Sequence, residues 1–187
     1  MQAANRRLSN VSRALLTPPA VAVCGTAGAA GDLNGLTVIV TGGGTGIGQG
    51  IALALAAEGC HVVVTGRRAE PLRATVELAS EMSGSIEAFA TDVVERDQSM
   101  LIQHVVKKYG RLDILVNNAG TNIPKRSLKE MSLDDWHTVV DTNLHGTYHV
   151  VHAALPQMRH QQDGLIINVT SISGKRTISD LAGSACE

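Results

Sequence analysis

The segment Thr41 to Gly48, TGGGTGIG, has the residue types that bind phosphate. Five of its eight residues are glycines, which let a backbone turn sharply and approach a pyrophosphate without Cβ atoms in the way. This glycine loop follows a strand-like run and precedes a helical pattern, so unpaired N–H groups would face the anion. It matches neither G-x-G-x-x-G, because Gln49 and Ile51 occupy the final glycine positions, nor the P-loop. We predict a phosphate-binding loop; a glycine-rich turn without a ligand is the alternative.

The end of the second strand-like run indicates which nucleotide the chain favours. It reads VVVTGRR, with Gly66 where an NAD-binding protein places a carboxylate for the adenosine ribose. Arg67 and Arg68 follow, and a guanidinium can bind two oxygens of a 2′-phosphate. The prediction is NADP(H) in preference to NAD(H). The alternative is that both arginines are solvated residues in front of a helix.

Five short apolar runs, rich in β-branched residues, alternate with helical patterns along the chain. Such runs suit strands buried on both faces of a parallel sheet, and the alternation implies right-handed crossovers. We predict an α/β fold with a Rossmann-type doubly wound parallel sheet. The predicted strands are residues 36–41, 61–65, 86–90, 112–116 and 165–169, and the predicted helices lie within 47–58, 72–79, 100–106 and 133–158.

Composition excludes several classes of function. The 187 residues carry a formal net charge of −1, without the basic stripe of a nucleic-acid-binding protein. No apolar run is long enough to span a bilayer. The three cysteines have neither metal spacing nor the even number of a disulfide framework. We therefore predict no nucleic-acid partner, no membrane span and no metal, in a reducing compartment.

Residues 1–34 are predicted to be a flexible leader or a targeting segment, in front of a dinucleotide-binding domain over residues 35–187. The leader contains three arginines and no acidic residue before Asp32. Its apolar residues also fall near helical spacing, which is typical of a mitochondrial presequence. The prediction is a cytoplasmic protein, with the mitochondrial matrix as the alternative.

Four segments, in order, give the chain a resemblance to a known family. They are TGGGTGIG, NNAG at residues 117–120, DTNLHG at 141–146 and INVTSISG at 167–174. Together they resemble the classical short-chain dehydrogenase/reductase family over residues 36–186. The resemblance implies an oxidoreductase that transfers a hydride between the nicotinamide and a small carbonyl compound or secondary alcohol. It also implies a homo-oligomer in the full-length form.

The resemblance assigns contacts to the cofactor. It implies that Asp92 accepts a hydrogen bond from the adenine amino group, with capping of the following helix as the alternative. Asn117 should face the cofactor, whereas Asn118 should tie one strand to the next. The full predicted set of cofactor-binding residues is Thr41, Gly42, Thr45, Gly46, Ile47, Gly48, Arg67, Arg68, Asp92, Val93, Asn117, Ala119 and Gly120.

Members of this family reduce a carbonyl with an asparagine, a serine, and a tyrosine followed four residues later by a lysine. Asn143 and Ser171 match the first two and are the predicted catalytic residues. The tyrosine should fall near residues 184–187, where the sequence has none. We therefore expect a chain cut before the active-site helix and the last two strands, with an uncovered sheet edge. The alternative function is a non-catalytic nucleotide-binding fragment.

His145, His149 and His152 recur at helical spacing. A metal face would need neighbouring carboxylates or cysteines, and no such cluster accompanies the histidines. The resemblance instead favours a stripe of side chains at an interface between two copies of the chain.

Overall fold

The structure, a computed structural model, describes residues 33–124, 127 and 129–171. The predictions for the leader up to Asp32 and for residues 172–187 lie outside this part of the chain. Leu33 and Leu36 already pack against the apolar core. The compact unit therefore starts at Leu33, two residues earlier than the predicted domain.

Five parallel strands form one sheet in the order β3-β2-β1-β4-β5. The first three strands run outward from the centre, and the chain then crosses to the other side of β1 for β4 and β5. This is the predicted Rossmann-type arrangement, with a change of winding direction between β1 and β4. The strands are β1 Thr37–Thr41, β2 His61–Gly66, β3 Ser85–Ala90, β4 Ile114–Asn117 and β5 Leu165–Asn168.

The helices connect the strands and cover both faces of the sheet. They are α1 Gly46–Ala57, α2 Ala69–Leu78, α3 Ser99–Tyr109, α4 Leu133–Val140 and α5 Gly146–Gln161. The prediction of one α-helix over residues 133–158 is wrong in one respect, because a π turn at Asp141–His145 separates α4 from α5. A π turn adds a residue to the helical turn. It therefore rotates the following residues by about 100° relative to an uninterrupted α-helix.

Two apolar clusters explain why the strand sequences are apolar at successive positions. On one face, Val38 and Val62 pack with Ala52 of α1 and Leu72 of α2. On the other face, Ile39 and its neighbours pack with residues of α3 and α5: Leu101, Ile102, Val105, Val150, Ala154 and Met158. Both faces of the central strands are therefore buried, as expected of a parallel sheet flanked by helices.

Strand β5 is the edge of the described sheet on the side of β4. Leu165, Ile167 and Val169 are 52%, 41% and 37% exposed.

Among the described residues, none of the helices combines the length and the hydropathy that a membrane span requires. The same part of the chain holds no cluster of three His, Cys, Asp or Glu side chains arranged for a metal ion.

Candidate functional site

The glycine loop connects β1 to α1 and is held against the end of β2. The N–H groups of Gly42 and Gly43 donate to the carbonyl of Thr65, at 2.8 and 3.2 Å. Gly42 has a φ of +67°, a left-handed conformation that favours glycine. A Cβ atom at Gly48 would overlap the carbonyl of Gly42 and the amide nitrogen of Asn118. The loop therefore folds so tightly that side chains at these positions would displace it.

Asn118 holds the ends of β1 and β4 together where the strand order reverses. Its Nδ2 donates to the carbonyl of Thr41 at 3.0 Å. The backbone N–H groups of Asn118 and Ala119 both donate to Thr41 Oγ1, also at 3.0 Å. This is the strand-to-strand role expected of Asn118. In open α/β sheets, ligands bind in the crevice at such a switch point.

A cavity of about 250 Å³ opens beside the glycine loop. Gly44 and Thr45 form one part of its wall, and Arg67 and Arg68 form another. Neither arginine forms an ion pair within the described residues, so both charges remain available to an anion. The other lining residues of this first cavity are Gly42, Gly66, Pro71, Leu72, Thr91, Asp92, Val93, Asn118, Ala119, Gly120 and Thr142.

Asp92 and Val93 both line the first cavity. Asp92 Oδ1 accepts a hydrogen bond from the N–H of Val94 at 3.1 Å, so it stabilises its own turn. The alternative prediction that Asp92 caps the next helix is wrong, because α3 has Gln98 at its N-cap. Val93 is only 6% exposed, and a Cβ atom at Gly146 would come within 2.7 Å of its side chain. The turn is therefore packed tightly against α5.

A second cavity, of about 300 Å³, adjoins the first and shares Asn118, Ala119 and Gly120 with it. It lies on the side of β4 and β5, and Asn143 of the π turn forms part of its wall. Both ends of the Asn143 amide bind the backbone of Thr121. The remaining lining residues are Asn117, Leu144, Thr147, Asn168, Val169 and Thr170.

Asn117 lines the second cavity and does not line the first. It is 4% exposed, and its Nδ2 donates to Asn168 Oδ1 of β5 at 3.0 Å. Its own Oδ1 has no hydrogen-bond partner within the described residues. Asn117 therefore lies on the side of β5, and its contact with a cofactor stays a prediction. The physical reason is that the last residue of β4 is paired with the last residue of β5.

Five of the predicted site residues line neither cavity: Thr41, Gly46, Ile47, Gly48 and Ser171. Ile47 is 68% exposed in the first turn of α1, and Gly46 precedes it with a φ of +57°. Ser171 is half-buried and follows Thr170, which does line the second cavity. Conversely, sequence reasoning missed Thr142. Thr142 lines the first cavity, and its only signal in the sequence was its position beside Asn143.

Comparisons with known proteins agree with this architecture. The family model described as short chain dehydrogenase matches residues 36–183. A 3-oxoacyl-[acyl-carrier-protein] reductase from Thermotoga maritima is 36% identical over 143 residues, which are 76% of this chain and 58% of the relative. An uncharacterized oxidoreductase from Staphylococcus aureus is 38% identical over 138 residues, covering 73% of this chain and 58% of its own length. The chain thus spans less than two thirds of these relatives.

Two solved structures resemble the fold. A metagenomic short-chain oxidoreductase in complex with NADP has a TM-score of 0.77 and 34% identity, over 83% of this chain and 72% of its own. An NAD⁺-bound xylitol dehydrogenase has a TM-score of 0.78 and 29% identity, over 82% of this chain and 60% of its own. These similar folds hold different nicotinamide nucleotides.

Proposed function

The chain belongs to the short-chain dehydrogenase family, and from that premise we propose that it binds NADP(H) for hydride transfer between the nicotinamide and a carbonyl compound or secondary alcohol. The observation that carries the proposal is the first cavity, which the glycine loop lines together with Arg67 and Arg68, two arginines without an ion pair in the described part of the chain. Because Gly66 supplies no carboxylate, nothing at that position repels a 2′-phosphate.

The two adjoining cavities support a ligand with two halves. The adenosine half would lie in the first cavity, against Asp92 and the arginines, and the pyrophosphate would lie over the glycine loop. The nicotinamide half would lie in the second cavity, beyond Ala119 and Gly120. The missing Cβ atoms at Gly42 and Gly48 let the loop pack tightly against Asn118, and the N–H groups at the start of α1 would face the pyrophosphate. The residues present therefore fit the dinucleotide.

The bound dinucleotide would supply the hydride, and the protein would orient the substrate carbonyl. We propose that Ser171 donates a hydrogen bond to the carbonyl oxygen, since it follows the part of the wall formed by Thr170. Asn143 would fix the shape of the second cavity through its contacts to Thr121. The substrate is a small carbonyl compound or alcohol whose identity these residues do not specify.

A second candidate function is nucleotide binding without turnover. The observation that supports this second candidate is that neither Tyr109 nor Tyr148 lines either cavity. Tyr109 donates to Glu87, and Tyr148 is 60% exposed on α5. Neither tyrosine is therefore placed to protonate a substrate in the second cavity. The two candidates share the dinucleotide site and differ only in the chemical step.

The proposed site is tested by two glycine-to-alanine variants in the same helix. A Cβ atom at Gly48 would overlap Gly42 and Asn118, whereas Gly50 faces open space. Wild type and Gly50→Ala should bind NADPH with equal affinity in a fluorescence titration. Gly48→Ala should lose most of that affinity. If wild type does not bind NADPH, or if Gly48→Ala binds as tightly as Gly50→Ala, the proposed site is wrong.

A further inference from the structure

Thr75 of helix α2 does not line the first cavity, but its side chain joins α2 to the glycine loop. The side chain is fully buried, and its Oγ1 lies 3.1 Å from the carbonyl oxygen of Gly43. The same Oγ1 accepts a hydrogen bond from Gln49 Nε2 of α1 at 3.0 Å. A single hydroxyl therefore connects the loop, α1 and α2.

The hydroxyl proton has two possible acceptors. Thr75 Oγ1 is also 3.1 Å from the carbonyl oxygen of Pro71, four residues earlier in α2. A threonine hydroxyl has one proton, so it donates to Gly43 or to Pro71 at any moment. Gln49 Nε2 additionally lies 3.4 Å from the carbonyl oxygen of Gly44. Thr75 and Gln49 thus hold two consecutive carbonyls of the loop.

The loop is packed against the segment that carries the arginines. A Cβ atom at Gly43 would come within 2.6 Å of Val64 in β2. A Cβ atom at Gly44 would come within 3.1 Å of Pro71 in the first turn of α2. Arg67 and Arg68 lie between β2 and α2. The contacts of Thr75 and Gln49 therefore link the glycine loop to the helix that follows the two arginines.

We propose that Thr75 and Gln49 are positioning residues that set the separation between the glycine loop and the two arginines. They would thereby tune the preference for a dinucleotide that carries a 2′-phosphate. The inference rests on the proposed function. In the proposed site NADPH contacts the glycine loop and the two arginines at once, so its affinity depends on the separation between them. NADH has no 2′-phosphate for the arginines, so its affinity depends on that separation less.

The test compares Thr75→Val, which keeps the shape and loses the hydroxyl, with Thr75→Ser, which keeps the hydroxyl. Dissociation constants for NADPH and NADH are measured on the 187-residue chain by fluorescence titration. Thr75→Val should reduce the NADPH preference about fivefold, the effect of losing one net hydrogen bond. Thr75→Ser should retain it. Thr138→Val is the matched control, since Thr138 also bonds the carbonyl four residues earlier, in α4.

Gln49→Met, at a half-buried position, provides a second variant that does not depend on the folding of Thr75→Val. It should reduce the NADPH preference in the same direction. An unchanged preference in Gln49→Met, or equal losses of NADPH and NADH affinity in both variants, overturns the positioning role. If wild type prefers NADPH and both variants prefer it to the same degree as wild type, only this inference fails. If wild type binds neither dinucleotide, the proposed function fails with it.

Discussion

Asn143 binds the backbone of Thr121 with both ends of its side-chain amide. The N–H of Thr121 donates to Asn143 Oδ1 at 2.8 Å, and Asn143 Nδ2 donates to the carbonyl of Thr121 at 3.0 Å. Asn143 lies in the π turn, whereas Thr121 lies in the segment after β4. The pair therefore fastens the π turn to the switch-point side of the sheet, where the second cavity forms.

Replacing this amide should have an effect on stability that depends on pH. In Asn143→Asp, an ionised carboxylate faces the carbonyl of Thr121 and cannot donate to it. The variant should lose about 1–3 kcal/mol of unfolding free energy at pH 7, or about 2–4 °C in Tm per kcal/mol. The carbonyl of Thr121 favours the protonated form of the new carboxyl, which can donate to it again. The deficit relative to wild type should therefore shrink at about pH 4.

Asn143→Leu is the control for that experiment, because its side chain does not titrate. Its Tm deficit relative to wild type should be the same at both pH values. If Asn143→Asp shows no deficit, or one that is as independent of pH as that of Asn143→Leu, the paired contact is not important for stability.

Glu87 of β3 gives the fold a second pH-dependent contact. Partial burial raises the pKa of its carboxyl. Hydrogen bonds from Lys108, Tyr109 and His104, together with the charge of Lys108, lower that pKa by a larger amount. The net pKa lies below the ordinary value of 4.5. A lowered pKa in the folded state means that this stabilisation is present above pH 4.5 and is lost as the pH falls through the lower folded pKa.

Thermal unfolding across acidic pH tests this assignment. Wild type should lose Tm as the pH falls below 4.5, and Glu87→Gln should lose less over the same interval. Glu77→Gln, at an exposed position of α2, should follow wild type. If Glu87→Gln and wild type have parallel Tm profiles, Glu87 contributes nothing to the acid sensitivity.

The beginning of the compact unit can be located by deletion. Removing residues 1–32 should leave Tm and NADPH binding unchanged. Removing residues 1–36 should lower Tm, because Leu33 and Leu36 pack on the core and Cys60 Sγ donates to the carbonyl of Leu33 at 3.2 Å. Two half-buried leucines contribute about 1 kcal/mol or more each. A lower Tm after the shorter deletion would show that the leader is part of the folded unit.

The 187-residue chain is expected to bind NADPH without reducing carbonyl compounds at a normal rate. Its only tyrosines, Tyr109 and Tyr148, lie outside both cavities, and general acid catalysis contributes about 10²–10⁴-fold. The assay follows the loss of NADPH absorbance with a panel of ketones and aldehydes. The reductase from Thermotoga maritima serves as the positive control. Turnover near that of the control would show that another residue donates the proton.

The sheet could be predicted from the sequence because both of its faces are buried. Successive residues such as Val38 to Val40 are apolar because helices pack on both sides of the sheet. This pattern does not depend on any one tertiary contact. The start of β4 was misplaced by two residues, since pattern reasoning included Leu112 and Asp113. Asp113 instead accepts the N–H of Thr37 with its carboxylate at 2.8 Å, a tertiary contact that apolar patterning does not encode.

The π turn could not be predicted, because residues of low helix propensity such as Thr142 and Asn143 do not distinguish a π turn from an α-helix. It is accompanied by contacts to distant segments: Asn143 binds Thr121, and the bare backbone of Gly146 admits Val93. Thr142, the second residue of the π turn, lines the first cavity. The glycine loop and the arginines, in contrast, were predicted from residues close in sequence. The cellular location and the homo-oligomer stay predictions.

The preference for NADPH over NADH tests the central claim most directly. Both nucleotides are titrated against wild type, Arg67→Ala and Arg73→Ala, the last at an exposed position of α2 outside the cavity. Wild type and Arg73→Ala should bind NADPH more tightly than NADH. Arg67→Ala should weaken NADPH binding about tenfold, the effect of losing one charged hydrogen bond, and leave NADH nearly unchanged. Equal affinities in wild type, or an unchanged preference in Arg67→Ala, would contradict the account.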